Sequence, residues 1–271
     1  MTTGIIRAPF DPVTEAELAE IRAVRKKKGW DNVVLEVTAD GVLDQNKRFS
    51  LLRRAIRPWK WMAAAVEETG EENVLDCSER FATLEREVRD GQYLKAASGI
   101  RCILAEEGLY LDETITALCK PSRASHSRSV AEVCVRLAEA HHLDAHKAWM
   151  MGCMHDLTKA WSDEKGRALL AVYEPSALEY DPKVYHSFTA PVFLKTVMGI
   201  QDEIILGAVK AHTLGTVSND YDRILYIADK IEPTRGYDVS KETELALRDL
   251  KEAFALVFRE SEQYRERKVN G

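Results

Sequence analysis

The chain has 271 residues, 45% of them hydrophobic and 30% charged, with 14 Gly and 8 Pro. That is a globular composition, and it excludes collagen-like, mucin-like and linker proteins. The formal net charge of −6, from 38 Lys+Arg against 44 Asp+Glu, argues against a duplex nucleic-acid binder or a membrane-surface protein. An anionic small-molecule substrate would have to be met by locally placed cations or metal ions.

In chain order, the first third alternates short apolar runs with helix-like segments, the rhythm of an α/β layer. Gly4–Phe10 reads as a strand, and Val13–Lys28 as a helix with Leu18, Ile21 and Val24 on one face. Val33–Val37 follows as a strand, Asn46–Ile56 as a helix ended by Pro58, and Trp61–Val66 as a third strand. Glu79–Arg89 and Gln92–Glu107 read as helices. Beyond Pro121 the β-branched runs disappear and a 3.6-residue period takes over. It predicts helices at Arg123–Ala140, Ala145–His155, Asp163–Tyr173, Pro182–Met198, Gln201–His212, Asp220–Ile231 and Lys241–Arg267. The expected architecture is α+β: an α/β domain over 1–118 and an all-α helical bundle over 119–271.

The five cysteines, Cys77, Cys102, Cys119, Cys134 and Cys153, are odd in number and make no C-x-x-C pair, as expected of reduced thiols in the cytoplasm. The opening MTTGIIRAPFDPVTEAEL lacks the basic and apolar regions of a secretory signal, and no apolar run reaches the roughly 18 residues of a membrane span. A soluble, cytoplasmic protein is expected.

Four histidines sit at the ends or on the apolar faces of the C-terminal helices. His126 precedes Val130, Val133 and Leu137 at helical spacing, and His155 ends a helix directly before Asp156. His186 opens a face with Ala190, Phe193 and Val197, and His212 follows Ile205 and Val209. Asp229 lies in the apolar segment ILYIADKIEP. A single histidine on an apolar face is more often a hydrogen-bonded core residue than a ligand. The ordered set, with each position on a separate predicted helix, shifts that balance. Imidazole with carboxylate suits Mn, Fe, Co or Zn, and the lack of spaced thiolates argues against a structural zinc site. Cys153 falls on a different helical face from His155 and reads as a packed thiol, Thr213 as a turn cap, and His141, His142 and His146 as exposed.

The segments SHSRSVAEV, GCMHDLTKAW, YHSFTAP, AVKAHTLG and RILYIADKIEPTRGYD resemble, in order, the H…HD…D pattern of HD-domain phosphohydrolases. Within that superfamily they resemble the YqeK family, associated with symmetrical hydrolysis of diadenosine tetraphosphate to two ADP. The resemblance implies two metal ions, divalent or mixed-valence, with iron first and manganese as the alternative. It puts His126, His155 and Asp229 on one ion, His186 and His212 on the other, and Asp156 on both. Lys159, Arg128, Lys230 and Arg235 lie near these landmarks and are the candidate counter-charges for a polyphosphate, with Asp156, Lys159, Arg128 and Arg235 as the catalytic set.

GIIRAPFDPVTEAEL resembles the opening of nicotinate-nucleotide adenylyltransferases, where a GGTFDPVHxGHL-like stretch binds ATP phosphates. Phe10, Asp11, Pro12, Val13 and Leu18 match. Arg7 and Ala8 replace the paired glycines, while Thr14, Ala16 and Glu17 replace the expected His, Gly and His. A carboxylate has the wrong sign for a phosphate site, and a lost glycine blocks backbone approach. RFSLLRRAI and GIRCILAEEGLYL resemble later helices of that family, with AASGIR as a remnant of its ISSTxIR signature. The resemblance implies a shortened, degenerate Rossmann-like nucleotidyltransferase domain. Arg25–Lys28, with Arg53, Arg54, Arg57, Lys60, Trp59 and Trp61, form a candidate aromatic and cationic surface.

The reading that follows is a metal-dependent phosphohydrolase acting on a small-molecule nucleotide, without DNA or membrane partners. Its long amphipathic helices are compatible with a homodimer. The alternatives are a nicotinate-nucleotide adenylyltransferase-related protein of NAD synthesis and a non-catalytic nucleotide-binding regulatory protein.

Overall fold

The structure, a computed structural model, describes residues 1–66 and 72–270, with side chains through 267. The chain divides into two compact units, Met1–Thr114 with Val197–Gly199, and Ile115–Thr196 with the residues from Ile200 onward.

The first unit is built on four strands, β1 (Thr3–Ala8), β2 (Asn32–Val37), β3 (Met62–Ala65) and β4 (Val74–Asp76). They run parallel in the order β3-β2-β1-β4. Parallel neighbours need long crossovers; α1 (Glu15–Lys28) joins β1 to β2 and α2 (Gln45–Ala55) joins β2 to β3, while α3 (Ser78–Arg89), α4 (Arg101–Glu106) and α5 (Leu111–Leu118) follow the last strand. Val33, Leu35 and Val37 are buried in β2 and Leu18 and Ile21 on α1.

In open parallel sheets ligands bind beyond the carboxyl ends of the strands. Here that region is occupied by the chain's own polar groups. Arg48, fully buried on α2, donates to the carbonyls of Pro9 (2.7 Å), Leu43 (2.8 Å), Thr38 (3.0 Å) and Ala39 (3.1 Å). Thr14 and Glu17, standing where the resemblance would put phosphate-binding imidazoles, close on each other. Thr14 caps α1 by accepting from Glu17 N at 3.1 Å, and the Glu17 carboxylate accepts from Thr14 N at 2.5 Å. This capping box buries both residues. Glu17 faces the buried Glu85; desolvation first, and then this neighbour, raise its pKa well above the carboxylate range. Of the candidate surface, Arg25 stacks over Trp61 (4.3 Å) and Arg22 over Trp59 (5.1 Å), so both rings carry guanidiniums of this chain.

The second unit is helical: α6 (Pro121–Ala140), α7 (Ala145–Met154), α8 (Asp163–Tyr173), α9 (His186–Phe193), α10 (Glu203–Ala211), α11 (Asp220–Ile231), α12 (Ser240–Arg248) and α13 (Leu250–Asn270). α6 and α7 approach closely because Gly152 has no side chain; a Cβ there would lie 2.5 Å from Ala131 Cα. α13 seats Phe254 and Phe258 against Tyr226 of α11, with ring centroids 5.0 and 6.0 Å away. Gly215, at φ 70°, makes room for Phe258 beside the turn after α10.

Several sequence expectations are corrected. The helix expected over Gln92–Glu107 is a 3₁₀ turn at Tyr93–Lys95 and then α4, interrupted at Ala96 by extended backbone. Pro182–Met198 is divided into a 3₁₀ turn, α9 and a π-helical turn at Leu194–Met198 that follows Pro191, a residue with no amide hydrogen to donate. Lys241–Arg267 breaks at Asp249, whose carboxylate accepts from the amides of Lys251 and Glu252. His141 is half-buried, with Nε2 2.7 Å from the Ala246 carbonyl.

Candidate metal centre

Helix ends and inward faces of the second unit bring the six singled-out residues together. His126 comes from the first half of α6. His155, the C-cap of α7, and Asp156 follow one another at its end. His186 is the first residue of α9, His212 is the C-cap of α10, and Asp229 lies near the end of α11. All six are buried. Ring centroids step through the site from His126 to His155 (5.3 Å), to His212 (5.1 Å) and to His186 (5.2 Å).

Asp156 sits in the middle. Its Oδ2 is 3.5 Å from His155 Nε2, while Oδ1 is 3.4 Å from His186 Nε2 and 3.7 Å from His212 Nε2. Two sets of donor atoms each fall within 4.8 Å: His126, His155 and Asp156, and then Asp156, His186 and His212. Asp229 Oδ1 adds to the first set, 3.0 Å from His126 Nε2 and 3.9 Å from His155 Nε2.

The outer nitrogens fix which ring atoms face inward. His155 Nδ1 donates to the Gly152 carbonyl (2.7 Å) and His212 Nδ1 to the Val209 carbonyl (2.6 Å), the same three-residue step back at two helix ends. His126 Nδ1 meets Glu232 Oε1 at 2.9 Å. Each bond to an acceptor leaves an Nε2 lone pair toward the centre, the arrangement of a metal ligand oriented by an outer partner. Among the described residues, His126 Nε2, His155 Nε2 and Asp156 Oδ1 are buried without a hydrogen-bond partner. Orphaned buried polar atoms are costly. Inward imidazole nitrogens and carboxylate oxygens are the donor set that a divalent metal accepts, so the residues present fit such an ion.

Charges around the cluster divide by sign. Burial opposes ionisation of Asp156, but His155 and His212 outweigh it and hold its pKa well below the usual range. Asp229 is likewise held low against burial, chiefly by Lys230 and His126. Desolvation, and then His212, push His186 down to about 2, so it stays neutral.

The candidate cations separate. Arg235 Nη2 is 2.9 Å from Asp229 Oδ1, Lys230 Nζ is 2.6 Å from Asp229 Oδ2, and Lys159 Nζ is 3.0 Å from His186 Nε2. All three line a cleft of about 860 Å³ that opens from the cluster. Arg128 instead donates to Thr116 Oγ1 at 2.7 Å and is not among the cleft-lining residues. Sequence reasoning missed Arg123, which reaches Asp156 Oδ2 at 2.8 Å, and Glu232. Glu232 sits three residues after Asp229 in DKIEP, one helical turn along, and that spacing was the available signal. Thr213 Oγ1 lies 2.9 Å from His212 Nε2 and 3.1 Å from His186 Nε2, inside the site rather than only at a turn. Cys153 is buried.

An all-helical unit whose helices converge a histidine, a His-Asp pair and a second aspartate defines an HD-domain protein, and the HD domain family model matches residues 123–234. The symmetrical bis(5'-nucleosyl)-tetraphosphatase of Bacillus subtilis is 30% identical over 135 residues, 48% of this chain and 73% of that protein. The chain belongs to this YqeK-like family of HD-domain hydrolases. A probable nicotinate-nucleotide adenylyltransferase/Ap4A hydrolase of Mycoplasma genitalium is 32% identical over 160 residues, 56% of this chain and 45% of that protein. The chain thus spans about half the length of that relative. The crystal structure of a predicted HD superfamily hydrolase involved in NAD metabolism from Clostridium acetobutylicum matches with a TM-score of 0.52 and 27% identity, over 58% of this chain and 86% of that one. Among the described residues no helix is long and apolar enough to cross a membrane.

Proposed function

We propose that the chain is a metal-dependent nucleotide phosphohydrolase that cleaves diadenosine tetraphosphate symmetrically to two ADP. The observation that carries this reading is Asp156, whose two oxygens face two separate histidine sets. His126, His155 and Asp229 would hold one ion, His186 and His212 the other, and Asp156 both, with iron as the first metal and manganese the alternative. Such ions, when bound, lower the pKa of water and neutralise phosphate charge.

The chain's own residues supply the rest. Asp156 and Asp229, held ionised by their surroundings, and the neutral His186 keep donor lone pairs available at neutral pH. Lys159, Lys230, Arg235 and Arg123 line the cleft around the cluster, where a polyphosphate chain needs hydrogen-bond donors and positive charge. Desolvation beside the cluster lowers the pKa of Lys159, which makes an arriving phosphate a favourable partner for its ammonium group. The names of the Bacillus subtilis and Mycoplasma genitalium relatives support the nucleotide substrate.

In this reading residues 119–271 form the catalytic domain and 1–118 a degenerate nucleotidyltransferase-like domain, in a cytoplasmic protein that forms a homodimer. Adenylyl transfer is the alternative that the Mycoplasma relative's double name raises. The closed Thr14–Glu17 pair and the buried Arg48 oppose it, and pyrophosphate release from ATP with nicotinate mononucleotide is expected to be absent. The test of the main reading is chromatography of the products from diadenosine tetraphosphate with iron or manganese added. ADP as the sole nucleotide product supports it, while ATP with AMP, or intact substrate, overturns it.

A further inference from the structure

The cleft that opens from the His/Asp cluster continues well past it, to α13, which lies beyond the residues matched by the HD model. Its volume of about 860 Å³ is near the top of the roughly 300–1,000 Å³ range of small-molecule sites, much more than a phosphate group occupies. The two ends differ in chemistry. Around the cluster stand Arg123, Lys159, Lys230 and Arg235. At the far end Asp238, Glu242 and Glu260 outnumber Arg265 and Arg267, and two tyrosines, Tyr237 and Tyr264, join them. Net negative charge with aromatic rings is wrong for a phosphate chain and suited to a nucleoside, whose base stacks on an aromatic face and whose hydroxyls and amino groups donate to carboxylates.

The far end is also held in place. Tyr237 donates its hydroxyl to the Lys230 carbonyl at 2.5 Å, directly behind Asp229. Arg265 donates to the Thr213 carbonyl at 3.0 Å, next to His212. Phe258 packs beside Gly215 in the same turn. Both tyrosines therefore sit on segments fastened to residues adjoining the cluster, while Tyr264 keeps 56% of its surface exposed and Tyr237 58%.

We infer that the α13 end of this cleft, centred on Tyr264 and Tyr237, is a nucleoside subsite that takes the base and ribose of a nucleotide whose phosphates lie at the His/Asp cluster. The inference rests on the nucleotide reading of the site but not on which nucleotide is cleaved. It is tested by calorimetric titration of the full chain with ADP and with inorganic pyrophosphate, in wild type and in Tyr264→Ala and Tyr264→Phe. Wild type should bind ADP more tightly than pyrophosphate. Tyr264→Ala should weaken ADP about tenfold, the loss expected of one base–aromatic stack, leave pyrophosphate unchanged, and be rescued by Tyr264→Phe. Equal ADP and pyrophosphate affinities in wild type, or ADP binding unaffected in Tyr264→Ala, would overturn the subsite. Loss of both ligands in Tyr264→Ala would overturn it too, as the mark of a structural role. A discriminating Tyr264 in a protein that leaves diadenosine tetraphosphate intact would sink the cleavage reading and keep the subsite.

Discussion

Glu232 gives the sharpest test of how the centre is held. Its carboxylate is buried, meets His126 Nδ1 at 2.9 Å, and accepts from Thr234 N and Thr234 Oγ1, both at 2.7 Å. Burial works against its charge, but the bonds from Thr234 and His126 win and lower its pKa, so at neutral pH it is an anion behind an imidazole. A charged acceptor makes the opposite nitrogen more basic, and losing such a partner costs about 10–100-fold in metal affinity, or roughly 1.4–2.8 kcal/mol at 1.4 kcal/mol per tenfold. Glu232→Gln retains the shape and one acceptor oxygen but removes the charge, so it should fall near the lower figure. Glu232→Ala also removes the acceptor of the Thr234 bonds, and should fall near the upper figure while lowering the melting temperature of the metal-free protein. Competition titration of manganese against a chelator, alongside thermal melts of the metal-free protein, reads both effects. Wild-type metal affinity in Glu232→Ala would refute the claim that His126 is a ligand oriented from behind.

Three further outcomes follow from packing and charge. Gly152→Val should destabilise the second unit by about 1–3 kcal/mol, because even its Cβ would lie 2.5 Å from Ala131 Cα; an unchanged denaturation midpoint would contradict the close α6–α7 contact. Arg48→Met should strip donors from the carbonyls of Pro9, Thr38, Ala39 and Leu43 and cost about 2–4 kcal/mol, measurable by urea denaturation. Glu85 is raised to about 7 by desolvation, which the hydrogen bond from the Asp11 backbone offsets only in part. A raised carboxyl favours its neutral form in the fold, so its contribution is complete below about pH 4.5 and is lost as pH climbs through about 7, at most about 3 kcal/mol. Glu85→Gln should flatten that slope in melts taken between pH 4.5 and 8, and an unaltered slope would count against it.

Much of the centre was legible because each ligand candidate carries a local signature: a histidine at helical spacing from valines, a His-Asp pair at a helix end, an aspartate in an apolar helix. The partners were less legible. Arg123 reaches Asp156 across 33 residues, a pairing that only tertiary structure makes. Arg128, two residues after His126 in HSRSV, had the same type of signal as Arg123, three residues before it, and donates to Thr116 instead. In the first third, Thr14 and Glu17 read as losses from a phosphate site, and the structure adds what replaced them, a buried capping box. β4 escaped notice because three residues, Val74–Asp76, are too few for a period-two pattern to register. The break in the last helix was readable: Asp249 followed three residues later by Glu252 is a helix-start signal that the long amphipathic pattern around it overrode.

Whether Asp156 joins two metal positions is read by elemental analysis of metal per chain, on wild type and on Asp156→Ala after loading with iron or manganese. Close to two ions per wild-type chain are expected, with a loss at both positions in Asp156→Ala and the circular dichroism of a folded protein retained. One ion or none in wild type, or two in a folded Asp156→Ala, would contradict it.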